Sequence, residues 1–146
     1  MLNYVSVEEA VSVIKSGDRI FGHGSACTPN LFYDELANQA HRLKDVEMVS
    51  ITQQGNVEIA KPQYKDSFYI NSLFTSAPVR DAVNSENGDF VPIFLSEIPI
   101  LFKNDILPLD VAMITVSPPD NHGYCTLGTS VDIARSAIDT AKIIIA

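Results

Sequence analysis

The sequence predicts an α/β domain: a mostly parallel sheet with helices on both faces. Short strand-like segments alternate along the chain with helical segments of about ten residues, an order typical of parallel sheets. Residues 110–117 form a near-continuous apolar run, as expected of a strand buried on both faces. The chain has 146 residues, 46% of them hydrophobic, which suits one domain, residues 1–146, around a single core.

The first elements follow from local signals. Ser6 and Glu9 fit a capping box, and apolar residues then recur at helical spacing up to Gly17, a predicted left-handed cap. Residues 19–21 form a strand, residues 22–27 a flexible loop, and Thr28-Pro29 starts the second helix, with Thr28 as its cap. Phe32, Leu36, Ala40 and Leu43 form the apolar face of that helix.

The remaining strands are predicted from apolar runs. The remaining helices are predicted from helical periodicity and from proline in the first turn. The predicted strands are 46–52, 68–74, 90–94, 110–117 and 142–146, the last also buried; the predicted helices are 78–85, 96–103 and 131–140; residues 56–66 are largely loop. Because the last strand has no polar tail after it, we expect the chain to be one part of a longer polypeptide.

The charge excludes nucleic acid as a partner. The net charge is −8, and the ten lysines and arginines are scattered, so no cationic stripe for a phosphate backbone exists. Because lysines and arginines are few, the phosphates of a nucleotide cofactor would be held mostly outside this chain.

Other classes are excluded by pattern. The amino terminus lacks a signal-peptide pattern, and two cysteines, Cys27 and Cys125, suit a reducing cytoplasm. No apolar stretch approaches the ~20 residues of a membrane span. No cysteine or histidine spacing indicates a metal site, and no serine-hydrolase elbow is present.

A glycine loop follows the first strand. Gly22, His23, Gly24 and Ser25 place mobile backbone next to a helix start, where amide groups can hold an anion or an oxyanion. The alternative is a tight turn required only by packing. His23 is either an ordinary surface histidine or a hydrogen-bond donor to a carboxylate or thioester oxygen. His41 lies on the polar side of the second helix.

A stiff turn follows the most hydrophobic strand. Two prolines restrict it, Asp120 can accept backbone amides, and Gly123 lets the chain reverse; its residues are Ser117, Pro118, Pro119, Asp120, His122 and Gly123. Open α/β sheets bind ligands at this edge, although a purely structural turn is the alternative. Asp120 and His122 could form an acid–base pair, but the spacing implies no nucleophile.

Three segments together resemble the acetyl-CoA hydrolase/transferase family, which includes the 4-hydroxybutyrate and butyryl-CoA:acetate CoA-transferases. They are residues 16–24, residues 90–99, and residues 110–128, in which Ser117-Pro118-Pro119-Asp120 is the most specific part. The resemblance covers about residues 5–146.

The resemblance implies a two-domain enzyme in which this CoA-transferase-like domain lies amino-terminal to the half that carries the nucleophilic glutamate. Its substrates would be an acyl-CoA and a small carboxylic acid, with CoA as substrate and no tightly bound cofactor. Gly22, His23, Gly24 and Ser25 would face the cleft with Gln53 and Gly55, and the stiff turn would form a second wall. We also expect a homo-oligomer, since a missing half would leave apolar surface.

Glu86 needs separate treatment, because Ser85-Glu86-Asn87-Gly88 resembles the nucleophile motif of the 3-oxoacid CoA-transferases. Asp89 follows where that motif has apolar residues, and the segment falls at a helix end in the amino-terminal half, which is not the half expected to carry the nucleophile. We therefore do not expect Glu86 to be the nucleophile.

Hydrolysis by the same family, a non-catalytic domain that binds a small acid or a phosphosugar, and a sugar-phosphate isomerase stay open as alternatives. The last is disfavoured because no lysine and carboxylate pair is clustered.

Overall fold

The computed structural model of the chain describes residues 4–146. The helices are α1 (Val7–Ser12), α2 (Asn30–Asn38), α3 (Arg80–Val83), α4 (Ile98–Lys103) and α5 (Ala134–Thr140). The strands are β1 (Arg19–Gly22), β2 (Val46–Ser50), β3 (Phe68–Ser72), β4 (Gly88–Phe90), β5 (Val111–Met113) and β6 (Ile143–Ile145). Short 3₁₀ turns occupy Ser25–Cys27, Ala40–Arg42, Glu58–Ala60, Pro62–Tyr64 and Ala77–Val79.

The six strands form one sheet in the order β4-β3-β2-β1-β5-β6, and every neighbouring pair is parallel. In the centre, Ile20 pairs with Met48 of β2 and with Val111 of β5. This arrangement confirms the predicted α/β class. The sheet is parallel because the helical connection after each strand returns the chain to the starting edge, so that every strand runs in the same direction.

Each face of the sheet carries its own core. Ile20, Met48 and Ile70 point to the first face, where α1, α2 and α3 pack. Phe21 and Val49 point to the second face, which α4 and α5 cover. The alternation of side chains along each strand divides the residues between the two cores.

Strand boundaries differ from the sequence prediction at the edges of the sheet. The prediction of a buried last strand is wrong: β6 is an edge strand, and Ile143 and Ile144 are 41% and 48% exposed. β4 spans only Gly88–Phe90, whereas a strand at residues 90–94 was expected. Pro92 has no N–H to contribute to a ladder, which explains why pairing ends before it.

Helix caps also differ. α1 ends at Ser12, so Gly17 does not cap it, although Gly17 has a φ of +82° in the turn before β1. Thr28 does not cap α2. Its hydroxyl instead donates to the Ser25 carbonyl oxygen at 2.7 Å and accepts from the Gln54 amide at 3.0 Å, which joins two loops.

Candidate functional site

The strand order of the sheet changes direction next to β1. β2, β3 and β4 extend the sheet on one side of β1, and β5 and β6 extend it on the other. From β1 the chain continues to α2 on the first face, and from β5 to α5 on the second face. The two connections therefore diverge at the carboxyl ends of β1 and β5, which is where open α/β sheets form their ligand crevice.

We call the segments that follow β1, β2 and β5 at this edge the rim; they are residues 23–29, 51–57 and 114–130. All the predicted site residues except Gly22, the last residue of β1, fall within it. Hydrogen bonds hold its first segment in place: the His23 amide donates to the carbonyl oxygen of Met113, the last residue of β5, at 3.0 Å, and the Ser25 amide donates to the Thr52 carbonyl oxygen at 2.6 Å.

The glycine loop adopts a constrained backbone. Ser25 has a φ of +52°, an uncommon value for a residue with a side chain. A Cβ on Gly24 would lie 2.6 Å from the Ile51 side chain, so the loop approaches the neighbouring segment too closely for any larger residue. Within residues 4–146, no backbone carbonyl accepts from the amide of Gly24, which is buried, or from that of Ala26, which is exposed.

His23 is buried, with no exposed surface, so it is not a surface histidine. Its Nδ1 accepts a hydrogen bond from the Thr115 amide at 3.1 Å, and its Nε2 lies 2.6 Å from the Ser130 carbonyl oxygen. Because Nδ1 is an acceptor, the ring hydrogen is on Nε2 and is donated to Ser130. The predicted contact of His23 with a carboxylate stays a prediction, and it requires the ring to release one of these partners.

Gln53 is also buried and fixes the glycine loop from the side of β2. Its Nε2 lies 3.1 Å from the His23 carbonyl oxygen and 3.4 Å from that of Gly22. Its Oε1 accepts from the Tyr33 hydroxyl at 2.8 Å. Gly55 is exposed, with a φ of +78°, and packs against the Asn30 side chain.

The stiff turn projects from the rim, and residues 118–126 are all exposed. Asp120 Oδ1 accepts from the backbone amides of His122 and Tyr124 at 2.8 and 2.9 Å, so its carboxylate serves the turn. The Ser117 hydroxyl accepts from the Thr126 amide at 3.0 Å and closes the base of the turn. Gly123 has the positive φ, +83°, that lets the chain reverse.

Some residues of the site escape sequence reasoning. Thr115 contacts both the ring of His23 and, through its hydroxyl, the Cys27 carbonyl oxygen at 2.8 Å. Asn30 Oδ1 is buried without a hydrogen-bond partner in the described chain. Neither belongs to a motif. The signal in the sequence was position alone: Thr115 comes two residues after β5, and Asn30 directly follows residues 23–29 of the rim.

A groove of about 600 Å³ opens beside the rim. Its walls come from the start of α2 and the segment after β5, together with residues near both ends of the chain: Tyr4, Val5, Ser6, Val7, Ala10, Thr28, Pro29, Asn30, Leu31, Phe32, Ile114, Thr115, Val116 and Ala146. None of the predicted site residues lines it.

Charges are distributed unequally between the two edges of the sheet. The rim contains no lysine or arginine. Five of the cations lie just before strands or at a strand start, at the opposite edge: Lys15, Arg19, Lys44, Lys65 and Lys142. Glu86 also lies at that edge, just before β4, where its side chain is 81% exposed and 3.6 Å from Lys65.

In residues 4–146, no group of three or more histidine, cysteine or acidic side chains is placed to hold a metal ion. None of the helices over the same residues has the length and apolarity needed to cross a membrane.

Residues 3–146 match the family model described as the acetyl-CoA hydrolase/transferase N-terminal domain. The chain belongs to this family. Among curated relatives of this acetyl-CoA hydrolase/transferase domain, a succinyl-CoA:acetate/propanoyl-CoA:succinate CoA transferase of Fasciola hepatica is 40% identical, over 95% of this chain and 29% of the relative. The 4-hydroxybutyrate coenzyme A transferase of Clostridium kluyveri is 37% identical, over 97% of this chain and 33% of the relative.

A solved structure, RipA from Yersinia pestis, superposes on 96% of this chain and 35% of its own with a TM-score of 0.86 and 26% identity. The acetyl-CoA hydrolase/transferase domain thus spans about a third of the length of the relatives it matches.

Proposed function

We propose that this domain is the amino-terminal half of an acyl-CoA:carboxylate CoA-transferase of the acetate or 4-hydroxybutyrate type. The nucleophilic glutamate would lie in a second half of the same polypeptide, outside residues 1–146. The observation that carries the proposal is the position of the rim. Its glycine loop and its stiff turn lie on either side of the point where the strand order reverses, which is the expected place for a ligand.

The donors on the rim suit a small carboxylate or a thioester oxygen. The amides of Gly24 and Ala26 have no backbone acceptor among residues 4–146, and the nearby amino end of α2 carries a partial positive charge. In the proposal Gly22, His23, Gly24, Ser25, Gln53 and Gly55 form the substrate side of the cleft, and the stiff turn forms its second wall. Because the rim has no cation, the phosphates of CoA bind elsewhere.

The proposed chemistry balances without a further co-reactant. The glutamate carboxylate attacks the acyl-CoA carbonyl carbon, the C–S bond breaks, and a mixed anhydride and CoA thiolate form. The thiolate then attacks the glutamyl carbonyl, which gives a glutamyl-CoA thioester and releases the first carboxylate. The acceptor carboxylate repeats these steps in reverse. The amides on the rim would stabilise the oxyanions that develop at each attack.

The proposed location is a reducing cytoplasm, because two cysteines, Cys27 and Cys125, make no pattern of a disulfide framework in the sequence. A homo-oligomer remains part of the proposal.

The deciding experiment assays the full-length protein that carries this domain. We expect it to exchange CoA between acetate and a panel of acyl-CoAs, and residues 1–146 alone to exchange none. Release of free CoA without exchange would instead indicate the hydrolase. Absence of both reactions, with binding of a small acid by residues 1–146, would replace the proposal with the non-catalytic binding domain.

A further inference from the structure

We infer that His23 is a positioning residue that clasps the two ends of the segment carrying the stiff turn, and so fixes the second wall of the proposed cleft. This rests on the proposed function for its consequence in catalysis, but its structural part can be tested without any assay of activity.

The ring of His23 is held between the two ends of one loop. Nδ1 accepts from the Thr115 amide at 3.1 Å, and Nε2 donates to the Ser130 carbonyl oxygen at 2.6 Å. The ring is fully buried, so water does not compete for either hydrogen bond. An imidazole is the one side chain that can offer an acceptor and a donor on opposite sides of a rigid ring in this way.

The residues between Thr115 and Ser130 project from the domain, and two that pack against its second core, Val116 and Leu127, lie near the two ends of the segment. Most of residues 116–129 are exposed, and Tyr124 is 75% exposed. The turn is stiff within itself, through Asp120 and Ser117, but its position relative to β1 depends on contacts at its base. Besides His23, these include the Thr115 hydroxyl on the Cys27 carbonyl oxygen, Cys27 Sγ at 3.6 Å from the Leu127 carbonyl oxygen, and the packing of Val116 and Leu127 against the second core.

When the two ends of a segment are no longer held together, the segment shifts and its internal hydrogen bonds open more often. Loss of the His23 ring would therefore displace the whole turn relative to the glycine loop, while the fold of the sheet would persist. Efficient active sites hold their catalytic and binding groups to within about 0.5 Å of the productive geometry. A displaced wall would thus lower the rate of the transfer step.

The first test measures amide hydrogen exchange in the full-length protein for His23→Phe, which keeps a ring and removes both hydrogen bonds. We expect exchange over residues 116–129 to become about tenfold faster, as loss of two hydrogen bonds predicts. Exchange in β2 and β3 should not change. His23→Gln, whose amide keeps a donor and an acceptor, should restore part of the protection. His122→Phe, in the exposed turn, is the matched control.

Unchanged exchange over residues 116–129 in His23→Phe would overturn the inference. If His23→Phe fails to fold, the comparison of His23→Gln with the unaltered protein decides, since the imperfect fit of an amide should still raise exchange in the same residues and nowhere else.

The tautomer is tested without altering His23. In ¹⁵N-histidine spectra of the 146-residue chain, His41→Gln and His122→Gln identify the signals of His23 by elimination, since the chain has three histidines. We expect the hydrogen on Nε2, in slow exchange with water. A hydrogen on Nδ1, or fast exchange, would contradict the clasp.

Steady-state kinetics separate positioning from direct contact. A positioning role predicts that His23→Phe lowers kcat and that His23→Gln recovers part of it. A direct contact with the acceptor acid predicts a higher KM for that acid alone, with unchanged exchange over residues 116–129, and would overturn the inference. Failure of the unaltered full-length protein to transfer CoA would overturn the proposed function and leave the exchange and tautomer results to decide on the clasp.

Discussion

At the scale of single residues, the glycine at the end of β1 is required by what packs against it. A Cβ on Gly22 would lie 1.8 Å from the Tyr33 hydroxyl oxygen, which occupies the space of the missing side chain. Burial raises the pKa of Tyr33 well above its ordinary range, so the hydroxyl keeps its hydrogen and donates it to Gln53. The glycine, the phenol and the amide thus form one unit beneath the loop.

Gly22→Ala should therefore destabilise the domain by about 1–3 kcal/mol, the usual cost of overpacking. Tyr33→Phe removes the clashing oxygen, so the double variant should be more stable than the sum of the single changes predicts, by about 1 kcal/mol or more. Urea unfolding of the four proteins of this cycle gives the coupling energy. Additive free energies of unfolding would show that the phenol does not fill the position of a Cβ.

At the scale of elements, the edge strand β6 is joined to the sheet by an ion pair between Lys142, just before β6, and Asp110, just before β5. Asp110 Oδ2 accepts from the Arg19 amide at 2.8 Å, and Oδ1 accepts from Lys142 Nζ at 2.7 Å. Partial burial raises the pKa of Asp110, but the hydrogen bonds from Lys142 and the Arg19 amide outweigh it, and the net pKa is below its ordinary value. The ionised form is therefore stabilised by folding.

Asp110→Asn should lower the free energy of unfolding at neutral pH. Because the folded pKa is the lower one, the contribution of Asp110 is fully present above the unfolded pKa of about 4 and is lost as pH falls through the folded pKa. The difference between the two proteins should thus shrink below about pH 4. Denaturant unfolding from pH 2 to 7 measures it, with the exposed Asp66→Asn as control. A difference independent of pH would contradict this assignment.

The stiff turn is an element in its own right, because its internal hydrogen bonds converge on one carboxylate. Asp120→Ala removes the acceptor of the His122 and Tyr124 amides, so we expect faster amide exchange at residues 121–125. The free energy of unfolding should change little, since the turn is exposed. Asn121→Ala, which retains Asp120, is the control. Equal exchange in the two variants would show that the prolines alone hold the turn.

At the scale of the whole molecule, the parallel sheet separates two kinds of chemistry. The carboxyl edge collects the glycine loop, the buried amide of Gln53 and the stiff turn, and the rim that they form has no cation. The amino edge carries cations and Glu86. The thickness of the sheet lies between them, so a reaction at one edge cannot use a side chain at the other.

Glu86→Gln in the full-length protein should therefore leave CoA transfer unchanged. The complementary measurement incubates the unaltered protein with acyl-CoA and borohydride and maps the reduced residue, which we expect outside residues 1–146. Reduction at Glu86, or loss of transfer in Glu86→Gln, would place the nucleophile in this domain and refute the arrangement proposed for the two halves.

The order of the elements, the parallel sheet and the turns that edge it were determined by the sequence itself. Apolar periodicity distinguishes strands from helices, and Gly24, Gly123 and Pro118 mark where regular structure stops. These signals are local, because each depends on residues a few positions apart, and a single sequence contains them in full.

Only the tertiary structure decided what surrounds those turns. His23 finds its two partners 92 and 107 residues away along the chain, and Tyr33 fills the space above Gly22 from a different element. Burial at the edge of the sheet was equally invisible: an all-isoleucine segment suits a central strand, yet β6 has a neighbour on one side alone. Long-range pairing sets these environments, and no local pattern of residues encodes which distant atom arrives to complete a hydrogen bond or to cover an apolar face.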